Sequence, residues 1–165
     1  MILERQIIHY ALFVSAFFLS QSYLAQKDVL KLLPGSKKAN YFEENDLLKL
    51  EGDVNFEYQQ NTMFCDSAYY FEKAEIVRAY GNVHIIKENL NIFCDSAFFD
   101  GQAEKSKLWG RVKMRDGDYK LTTDSIDYDS ASGRATYRNH GVIQKINSKE
   151  RITSKVGYFY PETKN

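Results

Sequence analysis

Proline is almost missing from this chain, with two residues in 165, and glycine is modest at nine. That excludes a collagen-like chain and argues against disorder. There is no excess of either charge, since Lys and Arg (22) balance Asp and Glu (22), so nothing overall points to nucleic acid or an anionic membrane. The three histidines, His9, His84 and His140, fall at unrelated positions, and no His/Cys spacing suits zinc. No Gly-rich phosphate loop and no asymmetric carboxylate pair occur, and no base recurs beside Ser67, Ser96 and Ser125 to activate a nucleophile. The chain reads as no enzyme, with no catalytic residue, metal or cofactor. Convincing helical periodicity is also absent beyond the first 25 residues.

What is abundant is apolar (44%) and aromatic (15%). Twelve Tyr and eleven Phe suit strands better than helices, and the length fits one domain. Residues 1–25 form the expected exception. Arg5 precedes a mostly apolar Ile7–Leu19, followed by the small and polar residues Ser20–Gln26. This is the layout of a secretory signal peptide, with a retained membrane anchor as the alternative. In both cases residues 26–165 are expected outside the cytoplasm as a single domain.

That domain is organised by repetition. Leu50-Glu51-Gly52-Asp53-Val54-Asn55-Phe56, a polar turn, and Met63-Phe64-Cys65-Asp66-Ser67-Ala68-Tyr69-Tyr70 return as Gly81-Asn82-Val83-His84-Ile85 with Ile92-Phe93-Cys94-Asp95-Ser96-Ala97-Phe98-Phe99. A third copy is Gly110-Arg111-Val112-Lys113-Met114 with Leu121-Thr122-Thr123-Asp124-Ser125-Ile126-Asp127-Tyr128, and a worn fourth runs from Gly141 to Tyr158. The glycines lie 29, 29 and 31 positions apart, a period typical of stacked supersecondary units sharing one core. Alternation of Val54, Phe56 and Tyr58 against Asp53, Asn55 and Glu57 predicts strands. Polar triplets at 59–61, 87–89 and 116–118 predict hairpin turns, and second turns are expected at 72–75, 100–105 and 129–133. Each repeat is thus two antiparallel strands of roughly six to ten residues, about nine or ten strands in all. Lys27–Leu33 is read as a short edge strand and Lys37–Asp46 as a loop or irregular strand. The repeated glycine predicts a bulge, a bend or close approach of another backbone.

Asp66, Asp95 and Asp124 suggest a carboxylate ladder for a hard cation, but no second acidic residue repeats with them. Hydrogen bonds from nearby backbone at the bend are expected instead. Cys65 and Cys94 share one repeat position, replaced later by Thr123 and Thr153. In an antiparallel meander they stand two strands apart, about 9.6 Å, beyond disulfide reach, so free buried thiols are expected. Two apolar stripes emerge. Val54, Val83, Val112 and Ile143 with Phe56, Ile85 and Met114 form one; Ala68, Ala97, Ile126 and Val156 with Tyr70, Phe99, Tyr128 and Tyr158 form the other. Facing stripes make either a filled sandwich core or an apolar groove, and the residues leave both open.

The pattern Gly-x-Val, strand, turn, Cys/Thr-Asp-x-Ala/Ile-x-Tyr/Phe resembles the OstA-like family, named for organic solvent tolerance, over about Leu47–Tyr160. The Cys-Asp-Ser-Ala-Tyr form looks most like the variant of Bacteroidota-type bacteria. The resemblance implies an all-β, open antiparallel β-jelly roll of about four two-stranded repeats. It also implies a periplasmic, membrane-associated, non-enzymatic carrier of lipopolysaccharide or a related lipid, working in outer-membrane assembly. The implied lipid groove is Val54, Phe56, Val83, Ile85, Val112, Met114, Tyr70, Phe99 and Tyr128. Implied partners are other lipopolysaccharide-transport proteins, reached by edge-strand addition, and further copies of the chain, head to tail. Two other readings stand beside it: a filled β-sandwich that scaffolds an outer-membrane assembly, and the membrane-anchored partner of the same transport system.

Overall fold

A computed structural model describes residues 30–58 and 61–160; the segment read as a signal peptide or anchor lies outside them, as do residues 27–29 of the first strand expected at Lys27–Leu33. Twelve strands form one antiparallel sheet: β1 (Lys31–Leu32), β2 (Lys38–Phe42), β3 (Leu47–Tyr58), β4 (Asn61–Phe71), β5 (Ile76–Lys87), β6 (Leu90–Asp100), β7 (Lys105–Asp116), β8 (Tyr119–Asp129), β9 (Arg134–Tyr137), β10 (Gly141–Lys145), β11 (Arg151–Ser154) and β12 (Gly157–Phe159). A single 3₁₀ turn at Glu43–Asn45 is the only helical element among the described residues. The sheet is an open antiparallel β-jelly roll.

The six central strands are longer than the repeat pattern predicts, at 11 or 12 residues. The reason is the glycine. It does not end a strand; it bulges one. Pairing runs Glu51 to Ser67 and resumes at Val54 to Cys65, and the same jump separates Tyr80 from Val83 and Trp109 from Val112. Two residues of the bulged strand thus oppose one of its partner. Both are left-handed: Gly52 and Asp53 have φ of 74° and 49°, Gly81 and Asn82 75° and 46°, Gly110 and Arg111 79° and 49°. Glycine adopts this region without penalty. A Cβ on Gly81 or Gly110 would also strike the carboxylate of Asp66 or Asp95 at 2.2 and 2.4 Å. Bulge, bend and close approach coincide.

The bulges line up across the sheet and fold it into two limbs. The first limb holds residues 54–58, 61–65, 83–87, 90–94, 112–116 and 119–123; the second holds 47–51, 67–71, 76–80, 96–100, 105–109 and 125–129. At both ends the bend becomes a fork. β3 pairs β1 along the first limb and β2 along the second. β8 pairs β10, which pairs β11, on the first limb; it pairs β9, which pairs β12, on the second. The stretch 37–46 therefore contains a regular edge strand. All five residues of β2 are exposed, so only its main-chain pairing with β3 defines it.

Candidate functional site

The inner faces of both limbs meet in one apolar interior containing Leu50, Val54, Phe56, Met63, Ala68, Val77, Val83, Ala97, Val112 and Ile126, all essentially shielded from solvent. Of the nine expected groove residues, eight are buried (Val54, Phe56, Tyr70, Val83, Ile85, Phe99, Val112 and Met114) and Tyr128 packs half-buried against them. They share one interior but not one environment. A concavity of about 730 Å³ lies between the limbs at β5–β8, lined by Ile85, Ile92, Phe99, Leu108, Met114 and Tyr128 among others. Val54, Phe56, Tyr70, Val83 and Val112 do not line it. At β3–β4 the limbs pack directly on each other. The interior is a filled sandwich at one end and an open groove at the other.

Side-chain size at equivalent repeat positions produces this difference. Positions 56, 85 and 114 carry Phe, Ile and Met; 48, 77 and 106 carry Leu, Val and Ser; 58, 87 and 116 carry Tyr, Lys and Asp. Large residues fill the wedge in the first repeat and smaller or polar ones leave it empty later. Comparing copies position by position would have located the groove. Following the stripes as uniformly apolar hides it.

Lys87, Glu88, Glu104 and Asp116 stand at the hairpin tips around the mouth of the concavity. Apolar walls with charged residues at the rim suit a molecule with a long apolar part and a polar end.

Near the bends, Cys65 and Cys94 are free and buried, as the meander geometry requires. Burial pushes both thiols up to about 12, so neither is a nucleophile at neutral pH. Cys65 donates to the Ser67 carbonyl at 3.3 Å. The recurring aspartates differ from expectation. Asp66 accepts from the Asn82 side chain at 3.0 Å and Asp95 from the Arg111 guanidinium at 3.0 Å; both partners are side chains that follow a bulge glycine. Lys37 and Asp53 repeat the contact over Gly52 with the charges reversed, at 2.7 Å. The Arg111 hydrogen bond holds the Asp95 carboxyl below the usual carboxylate range.

The fourth copy departs most. Val156 and Tyr158, expected inside, are 49% and 58% exposed, whereas Phe159 packs on the core. β12 takes its register from β9, with Phe159 opposite Ala135, and a one-residue offset exchanges the faces of a strand. Tyr137 fills the bend instead: a Cβ on Gly141 or Gly157 would meet its ring or hydroxyl within 2.3 Å, and its hydroxyl lies 2.7 Å from Ser154 Oγ.

No curated protein matches the sequence. Among solved structures the chain is similar to LptH of Pseudomonas aeruginosa, described as the LptA-homologous periplasmic component of the conserved lipopolysaccharide transport device. The TM-score is 0.57 at 9% identity, covering 76% of this chain and 92% of that one; at that identity the likeness is one of fold. The family comparison is direct in sequence: residues 23–165 match the OstA-like protein family. With the whole of the repeat domain inside that match, the chain belongs to the OstA-like family.

Proposed function

We propose that this protein is a non-enzymatic periplasmic carrier that shields the acyl chains of lipopolysaccharide or a related lipid and passes them on within a transport assembly. The observation that carries the reading is the apolar concavity between the limbs at β5–β8, lined by Ile85, Leu90, Ile92, Phe99, Leu108 and Met114. Membership of the OstA-like family and a fold shared with a lipopolysaccharide-transport component support the choice of lipid. Of the nine candidate groove residues, Ile85, Phe99, Met114 and Tyr128 are assigned lipid contact; Val54, Phe56, Tyr70, Val83 and Val112 are assigned the packed floor and closed end.

Residues 1–25 are assigned as a signal peptide and 26–165 as the mature domain. If the segment is kept as an anchor, the chain is the membrane-attached partner instead; N-terminal sequencing of the mature protein separates the two. The exposed edges at β11 and β12, with Ile152 at 65% and Tyr158 at 58% exposure, are assigned to strand addition, either to another transport protein or to the β1/β2 end of a second copy. The filled end at β3–β4 fits a scaffold equally well, but a scaffold has no use for the concavity.

A photo-crosslinker at Met114 is expected to yield lipopolysaccharide adducts in cells, while one at Lys113, on the opposite face of the same strand, yields none. Absence of adducts from Met114, or equal yield from both, overturns the carrier reading.

A further inference from the structure

We infer that the groove is blind, and that Tyr58 is the stopper that fixes how long an apolar chain it holds. The inference rests on the carrier reading and deepens it. Tyr58 is the last residue of β3, at the tip of the first limb, and is 1% exposed. Its hydroxyl donates to the carbonyl of Glu75 at 3.2 Å. Glu75 belongs to the hairpin turn at the tip of the second limb, so this side chain crosses the gap between the limbs. The same carbonyl accepts from the backbone N–H of Gly101 at 2.9 Å, which ties a second hairpin tip into the closure. Behind Tyr58, Tyr70 stacks at a tilt, ring centroids 6.3 Å apart, and Phe56 and Met63 leave no solvent-reachable surface.

One and two repeats later the Tyr58 position is occupied by Lys87 and Asp116, and both line the concavity. Neither is a ring that can fill the gap. Positions 48 and 56 also lose volume in later repeats, but only at position 58 is a ring that bridges the two limbs replaced by charged side chains that line the concavity. Tyr58 does not itself line the concavity, but Asn61, paired with it across the turn and donating to its carbonyl at 3.1 Å, does, so an apolar chain seated along β8 to β5 and running toward β3 would reach Asn61 and then the Tyr58 ring. Removing that ring vacates the space in front of Tyr70 and lengthens the usable groove toward β3 by up to one strand spacing, about 5 Å.

The test uses fluorescently labelled saturated fatty acids of graded chain length, titrated into the purified mature domain. Wild type should gain affinity with each added methylene until the chain reaches the stopper, then plateau. Tyr58→Ala should move the plateau to longer chains, binding the longest probe about tenfold more tightly than wild type. Tyr58→Phe keeps the ring and should keep the wild-type plateau. Because Tyr58 is buried, Gly101→Ala provides a variant in a surface turn: its Cβ would lie 2.3 Å from the Tyr58 hydroxyl, so the ring must shift and the plateau should move the same way, by less. A plateau that stays at the wild-type length in every variant with a β-type circular dichroism spectrum overturns the stopper and leaves the carrier reading intact. No binding of any chain length by wild type removes both.

Discussion

Leu50 and Leu108 are the same residue at the same repeat position, two repeats apart, and the structure predicts different costs for shortening them. Leu50 is fully buried in the filled end, while Leu108 is 3% exposed and lines the concavity. Truncation of a buried leucine to alanine loses the transfer free energy of the removed carbons and adds a term for the void left behind, together about 2.7–5 kcal/mol. At Leu50 the surrounding Val54, Ala68 and Tyr70 belong to a closed core, so the void term applies and the expected loss is about 4–5 kcal/mol. At Leu108 the vacated space joins a concavity that already exists, no new void is enclosed, and about 2.5 kcal/mol is expected. The difference, roughly 2 kcal/mol, corresponds to about 4–8 °C in Tm for a domain of this size. Urea denaturation of Leu50→Ala and Leu108→Ala gives both values directly, provided the slope m is unchanged. Equal losses, or a larger loss at Leu108, would falsify the division of the interior into a filled and an open end.

Other outcomes follow from the bends and the edges. Gly110→Ala should destabilise more than Gly117→Ala by about 1–3 kcal/mol in the same assay, since both glycines have positive φ but only the Gly110 Cβ collides, with Asp95; the Gly117 Cβ has open space. Native protein should resist alkylation at pH 8, where a thiol at about 12 is ionised in only about one molecule in ten thousand; unfolding without reductant should let both Cys65 and Cys94 react, and a mass two units below the reduced chain would contradict the meander. Asp46 accepts from the Lys73 backbone N–H and, at 3.0 Å, from the Tyr41 hydroxyl, which lower its pKa from 3.8. Its folded form binds protons less readily than its unfolded form, so its contribution is full above the ordinary carboxylate range and is lost as pH falls through the lowered value. Asp46→Asn should flatten the acid limb of the stability profile relative to wild type; an unaltered limb shows that Asp46 is not coupled to folding.

Much of this architecture is readable from residue order because the repeats report one another. Three glycines at fixed spacing, each followed by an alternating run, disclose the bends and the inner stripe through Met114. Strand length was not legible, because a left-handed pair looks like an interruption in sequence while the hydrogen-bond ladder continues past it. β2 was hidden for the opposite reason: Lys38-Ala39-Asn40-Tyr41-Phe42 buries nothing, so it carries no alternation to read. In the fourth copy, Val156 and Tyr158 match the apolar pattern, yet pairing with β9 turns Phe159 inward, and partner register is not written in a strand's own sequence. The groove's position along the sheet was not legible, because it is a deficit of volume spread over Ile85, Lys87, Ser106 and Asp116 rather than a motif.

The forked ends bear on which strands can attach. Each end of the sheet presents two short prongs set at an angle, β1 and β2 at one end and β11 and β12 at the other. A flat foreign strand can satisfy the hydrogen-bonding groups of one prong while leaving the other in water, so a single extended peptide gains only part of the available pairing. A partner that is itself bent at a matching angle engages both at once, and the second contact forms at high local concentration because the first is already made. If strand addition operates at these ends as proposed, the bend that shapes the interior would also act as a lock on the outside, favouring partners of matching dihedral shape with little demand on their sequence. It would then also give the open edges a defence against indiscriminate stacking, since β12 carries neither charge nor proline.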